Sequence, residues 1–268
     1  VMGGVILFWI SSLFVHEASI PVKDKLRSLG AAVLGLICNQ FCYNLGLSIT
    51  SPNNASIMTT TMPIFSMIFS FLILREPITM KKLSGVFIGC IGALILILTS
   101  VSADNAKVGD LRGDLLCLIA QCAFALYLTL YNPLVRKYSV FTTNKWMFLW
   151  AAIMILPFSG HHVITTINWS QVSASTWWET GYVVIIGTYA CYLLTMIAQQ
   201  TLRPTVVSIY NYIQPIVAVT ISVLTGMGIF KWSQGLAVIF VFSGVWLVTH
   251  SKSKRDSTVL KNKVNHEY

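Results

Sequence analysis

Residues 52–72 read PNNASIMTTTMPIFSMIFSFL, and residues 204–224 read PTVVSIYNYIQPIVAVTISVL. Set against each other at a shift of 152, they share Pro52/Pro204, Ser56/Ser208, Ile57/Ile209, Pro63/Pro215, Ile64/Ile216, Ser70/Ser222 and Leu72/Leu224. Without a gap, the same shift carries 28–97 onto 180–249 and adds Gly35/Gly187, Val86/Val238 and Gly92/Gly244. Coincident Leu or Ile means little in apolar sequence. Paired prolines and glycines mean more, because each fixes or frees the backbone where it stands. The chain reads as a duplicated unit.

Around these segments the chain is 55% hydrophobic and only 10% charged over 268 residues, with a mean hydropathy of +0.72. Soluble domains carry about 25% charged residues, so this chain is built for an apolar solvent. Nine runs approach the roughly 20 apolar residues a bilayer requires: 1–15, 28–49, 54–74, 82–101, 113–134, 142–159, 180–199, 204–226 and 231–250. Their interiors show neither charge nor the alternation of β-barrel strands. The expected fold is an all-α integral membrane protein.

The cations orient it. With 1–15 starting outside and the sides alternating, the inside loops and tail receive Lys23, Lys25, Arg27, Arg75, Lys81, Lys82, Arg136, Lys137, Lys145, Arg203, Lys252, Lys254, Arg255, Lys261 and Lys263, which is 15 of the 18. Only Lys107, Arg112 and Lys231 fall outside. This is the positive-inside distribution, and Trp146, Trp177, Trp178 and Trp232 fall at the boundaries, as interfacial aromatics should. The formal net charge of +9 therefore reads as topology, not as a nucleic-acid surface. Lipid bilayer is the expected partner and nucleic acid is not.

The second copy, 113–250, holds five runs and the first, 1–101, holds four. An odd number of helices per copy turns the two copies upside down relative to each other, the inverted-repeat architecture of secondary transporters. Val1-Met2-Gly3-Gly4 opens without the basic n-region of a leader, and an outside start is unusual without one. Ten helices are expected in the full protein, with one preceding Val1. Residues 251–268 form a short, basic, cytoplasmic tail suited to an anionic lipid surface.

The residues then carry a resemblance. Thr50-Ser51-Pro52-Asn53-Asn54-Ala55-Ser56 leads into a helix with Pro63. Leu74-Arg75-Glu76-Pro77-Ile78-Thr79 and the glycine helix Gly85-Val86-Phe87-Ile88-Gly89-Cys90-Ile91-Gly92 follow, and Gly113-Asp114-Leu115-Leu116 opens the second copy. Over nearly its whole length the chain resembles EamA-type carriers of the drug/metabolite transporter superfamily. The second copy keeps Ser208, Pro215 and Gly244 but has Gly228 where Glu76 would fall. The resemblance implies alternating-access transport, often export, of small metabolites across a bacterial inner (plasma) membrane.

The candidate contacts for a small-molecule substrate are polar groups in apolar spans. Pro63 and Pro215 remove amides and free the carbonyls of Thr59 and Asn211, which must find partners in protein, water or ligand. Thr59, Thr60 and Thr61 precede one proline, and Tyr210, Asn211, Tyr212 and Gln214 the other. Asn39, Gln40 and Asn44 lie on a neighbouring helix, Gln121, Tyr127 and Tyr131 on another, and Tyr189 and Tyr192 on a third. Amides at membrane depth face a bundle interior or a wet cavity, so each is either a ligand contact or an interhelix hydrogen bond. Asn211 and Gln214 lead. Gly85, Gly89 and Gly92 form a face for close helix packing, within the monomer or across a homodimer.

No metal, cofactor or catalytic site is expected. The six cysteines lie in apolar runs without CxxC spacing, and no GxSxG or HExxH occurs. Arg75 and Glu76 read as a surface ion pair, His161 and His162 as loop histidines, and Asn54-Ala55-Ser56 and Asn168-Trp169-Ser170 as chance glycosylation patterns. With no cation or carboxylate inside the spans, substrates should be neutral or zwitterionic, and proton coupling has no visible carboxylate. Phosphosugars and nucleotide sugars would call for buried Lys or Arg. The rivals are such an antiporter and a non-transporting membrane scaffold or sensor.

Overall fold

The computed structural model describes residues 1–15, 20–100, 110–157, 173–225 and 232–251. All described secondary structure is helical. The elements are α1 (Met2–Ser12), α2 (Val22–Ile49), α3 (Pro52–Thr59), α4 (Met62–Leu74), α5 (Met80–Ser100), α6 (Leu111–Leu130), α7 (Asn132–Lys137), α8 (Val140–Ile155), α9 (Ala174–Thr201), α10 (Pro204–Ile209), α11 (Ile213–Leu224) and α12 (Trp232–Thr249). Each apolar run carries helix. Seven spans are long and apolar enough to cross a membrane, and α1 and α8 are shorter apolar helices.

Boundaries differ from the runs where charge or proline intervenes. α2 begins six residues before its apolar run, because Lys23, Asp24, Lys25 and Arg27 form two amphipathic turns with Asp24 in the first turn, where the helix dipole favours an anion. α6 ends at Leu130, and Pro133 enters the first turn of α7, the one place a helix accepts proline at no cost. Ser51 caps α3 by accepting from the Asn54 amide at 3.1 Å, just ahead of Pro52.

The chain forms two compact units, residues 1–40 with 131–202 and residues 41–130 with 203–268. Each joins a segment from the first half of the chain to one from the second.

In the first unit, Gly4, Phe8 and Ser12 are buried at a spacing of four and form the inward stripe of α1. A Cβ on Gly4 would stand 2.6 Å from the Phe148 ring, so glycine is what lets α1 lie close to α8. One end of this unit is tied by polar bonds. The buried Asp24 carboxylate accepts from Lys137 at 2.6 Å and Tyr138 at 2.5 Å. Gln200 Nε2 donates to the carbonyls of Val135 and Tyr138 at 3.0 and 2.8 Å. The hydrogen bond to Asp24 holds the Lys137 ammonium above its ordinary pKa.

In the second unit, α5 crosses α12 at backbone contact. A Cβ on Gly244 would lie 2.6 Å from the Gly85 carbonyl, and one on Gly92 2.8 Å from the Ala237 carbonyl. Gly85 and Gly92 thus pack within the monomer. Gly46 and Gly113 bring the end of α2 equally close to α6. Beside that contact Asp114 accepts from Thr50 Oγ1 at 2.5 Å and Asn54 Nδ2 at 3.1 Å.

Candidate substrate surfaces of the two units

The proline pair acts differently from a simple kink. Ahead of Pro63 the helix stops at Thr59, and the amides of Thr60 and Thr61 turn tightly onto Ile57 and Met58, each at 3.1 Å. Pro63 then falls in the first turn of α4, where its missing amide is harmless. Ahead of Pro215 the same happens: α10 stops at Ile209, Tyr210–Tyr212 form a 3₁₀ turn, and Pro215 is the third residue of α11. The expected mid-helix prolines therefore open new helical segments after a break, because the turn before them already spends the amides an α-helix would leave waiting.

These breaks sort the side chains. The hydroxyls of Thr59, Thr60 and Thr61 fold back onto Ser56, Ile57 and Met58 carbonyls at 2.6, 2.7 and 2.6 Å. Thr60 and Pro63 are buried. Tyr212, 1% exposed, donates its phenol to the Thr60 carbonyl at 3.0 Å, and its ring occupies the space a Cβ on Gly89 would claim. The half-buried Asn211 donates Nδ2 to the Met62 sulfur. Tyr210 and Gln214 remain open: with Ile213, Val217, Ala218 and Ile221 they line a hollow of about 510 Å³ along α11. Pro215 is half-buried behind them.

In the first unit, α2 and α9 each contain a widened π-helical stretch, Val33–Cys38 and Val183–Ala190, ahead of a polar side chain. Beyond them Gln40 Nε2 donates to the Tyr192 phenol at 3.3 Å, a pair 152 residues apart. Tyr189 shares a 2.6 Å hydrogen bond with Ser11 Oγ. The rings of Phe8 and Tyr189 lie 4.7 Å apart, Phe8 and Phe148 5.0 Å, and Phe148 and Tyr192 5.1 Å edge to face. Gln40, Tyr189 and Tyr192, candidates drawn from separate helices, meet here. Asn39 is half-buried and Asn44 exposed on α2. Gln121 and Tyr127 are buried on α6, with Tyr127 against Phe124 at 5.6 Å, and Tyr131 packs its phenol over Gly30.

The charges bring corrections. Glu76 does not form a surface pair with Arg75. It is buried and bonds Lys82 Nζ at 2.8 Å, with the Lys82 side chain 1% exposed. Arg75 ends α4 in the left-handed region, φ 54°, and points outward, which turns Glu76 inward. Lys145, expected in a loop, lies within α8, donates to Ser12 Oγ at 3.2 Å and covers the Trp9 ring at 4.7 Å. Lys82 likewise starts within α5. A lysine's long stem lets its head find partners from a helical position, which apolar-run counting misses. Tyr212, not one of the leading candidates by polarity, makes the buried bond, and its place 152 residues after Thr60 is the signal for it in the sequence.

Among the described residues no His, Cys, Asp or Glu cluster could hold a metal, and the six cysteines are free thiols. Gly228, His161, His162, Asn168-Trp169-Ser170, Lys107, Lys231 and the tail beyond Ser251 lie outside the described residues.

A model of the EamA-like transporter family matches residues 1–98 and 111–250. The uncharacterized transporter YetK of Bacillus subtilis (strain 168) is 24% identical over 256 residues, 91% of this chain and 75% of that protein. An S-adenosylmethionine/S-adenosylhomocysteine transporter of Chlamydia muridarum (strain MoPn / Nigg) is 25% identical over 265 residues, 95% of this chain and 82% of that protein. A solved crystal structure shares the fold with a TM-score of 0.72 at 15% identity, covering 92% of this chain and 84% of that one. A multi-pass helical membrane protein matched over nearly all of its length is a transporter and not an enzyme: the chain belongs to the EamA-like transporter family of the drug/metabolite transporter superfamily.

Proposed function

We propose that the protein is an alternating-access carrier of small neutral or zwitterionic metabolites, built on an inverted repeat of two five-helix units. The observation that carries the substrate class is the chemistry of the open polar groups. Tyr210 and Gln214 beside the 510 Å³ hollow, and Gln40, Tyr189 and Tyr192 in the other unit, are all uncharged. The neighbouring ions are engaged with the protein itself: Lys82 with Glu76, Lys145 with Ser12 and Trp9, Asp114 with Thr50 and Asn54. A solute with a zwitterionic or amide end and an aromatic body suits such surfaces. Chlamydial relatives named for S-adenosylmethionine and S-adenosylhomocysteine support the zwitterionic amino-acid end, which both cargoes join to a purine, S-adenosylmethionine with a sulfonium charge in addition.

The inverted repeat is supported by contacts that trade places when the copies are exchanged. In the second unit Gly92 meets Ala237, and adding and subtracting 152 turns that pair into Gly85 and Gly244, which also meet. Thr60 with Tyr212 is its own exchange partner. Such reciprocity is the signature of a two-fold relation. The positive-inside count supports a cytoplasmic C-terminus, and the family resemblance supports a bacterial inner membrane.

The test is uptake by the full-length protein in sealed proteoliposomes, using labelled amino acids, S-adenosylmethionine and a sugar phosphate, with and without an imposed pH gradient. Saturable uptake confined to the labelled amino acids and S-adenosylmethionine, the solutes with an amino-acid end, is expected. Uptake of the sugar phosphate alone would sink the substrate class.

A further inference from the structure

The first unit buries a polar group that its fold does not satisfy. Asn144 lies in the first half of α8, is 0% exposed, and neither Nδ2 nor Oδ1 has a hydrogen-bond partner among the described residues. The residues on either side of it are occupied. Thr143 Oγ1 bonds the Ser139 carbonyl at 3.1 Å, and Lys145 is turned to Ser12 and Trp9. A leucine here would fill similar space without two stranded polar atoms, which are costly to hold in a membrane protein's interior.

Its position gives the amide a use. Asn144 stands one turn before Phe148, on the same stripe of α8. Phe148 is the ring wedged between Phe8 and Tyr192, and Tyr192 accepts from Gln40. α8 packs against α1, α2 and α9, the helices that supply those groups. The stranded amide thus lies one turn beyond the polar and aromatic cluster.

We propose that Asn144 is a binding residue for the transported solute. Its Nδ2 donates to, and its Oδ1 accepts from, a solute group that offers both functions, an amino-acid head or a carboxamide, while the Tyr192 side of the cluster takes the body. In the conformation described here the amide is closed off, so the contact is made in another stage of the transport cycle. This inference rests on the carrier reading above.

The experiment compares wild type with Asn144→Leu and Asn144→Gln, full-length and in proteoliposomes, with labelled L-glutamine and S-adenosylmethionine as probes and Tm measured in parallel. Asn144→Leu should keep or raise Tm and raise KM tenfold or more, with kcat changed less than threefold. Asn144→Gln should recover part of the KM. An unchanged KM in an Asn144→Leu protein beside an active wild type would overturn this inference alone. So would a lowered Tm with KM unchanged, which marks a merely structural amide. A wild type that moves neither probe would overturn the carrier reading and this inference with it.

Discussion

The phenol of Tyr212 donates to the carbonyl of Thr60 at 3.0 Å, and the two residues are separated by the same 152 positions as Pro63 and Pro215. Each belongs to the turn that interrupts its helix ahead of a proline, so one hydrogen bond fastens break to break. A buried carbonyl deprived of its donor costs about 1–3 kcal/mol. Tyr212→Phe should therefore lower Tm by several degrees in detergent while leaving the ring's packing on Gly89 in place. Tyr210→Phe, at an exposed neighbour, should leave Tm within a degree, and scanning fluorimetry of the two side by side checks the difference.

The open face of α11 predicts a different response. Gln214→Ala and Tyr210→Ala should raise KM for the transported solute severalfold without loss of Tm, because both side chains border the hollow and Gln214 holds no interhelix bond among the described residues. Asn211→Ala, which also severs the bond to Met62, should change Tm and KM together. Initial-rate uptake across a concentration series separates these cases, and intact transport in all three variants would remove this face from the substrate path.

Glycines divide by what surrounds them. Gly244→Ala places a methyl 2.6 Å from the Gly85 carbonyl and Gly89 backbone, where no side chain can yield, and overpacking of this kind costs about 1–3 kcal/mol. At Gly187 the nearest atom to a new Cβ is 3.9 Å away, so Gly187→Ala should gain the roughly 0.5–1 kcal/mol of helix propensity that glycine forfeits. Opposite shifts in Tm are expected from one chemical change, and a Gly244→Ala variant with unchanged or raised Tm would contradict the crossing described for α5 and α12.

Glu76→Gln strands the Lys82 ammonium, and breaking a buried ion pair from one side costs about 3–5 kcal/mol. Poor recovery of folded protein from membranes is expected. The double variant with Lys82→Met removes both charges and should recover much of the loss. Size-exclusion profiles of the single and double variants provide the measurement.

Much of this was legible in the residues. Apolar runs located every described span, because the bilayer sets both their length and their composition. Pro63 and Pro215 marked the two breaks, and the stripe Gly85, Gly89, Gly92 marked a close crossing. Adjacent positions were harder to rank. Tyr210, Asn211 and Tyr212 are equally polar on paper, but the 3₁₀ turn advances about 120° per residue and sends one outward, one sideways and one into the core. Lys82 looked like a loop cation because its partner, Glu76, sits across a connection whose left-handed residue, Arg75, is not glycine. Asn144 gave no signal at all, since burial without a partner is a property of the packed helices and not of the sequence around it.

At the meeting of Gly85, Gly89 and Gly244, main chain lies directly on main chain, with no methyl to rotate aside and no gap for water. Amides on either side of that seam should therefore be the slowest in the second unit to take up deuterium. They provide an internal clock against which the loosening of the Thr60 and Tyr210 turns can be timed.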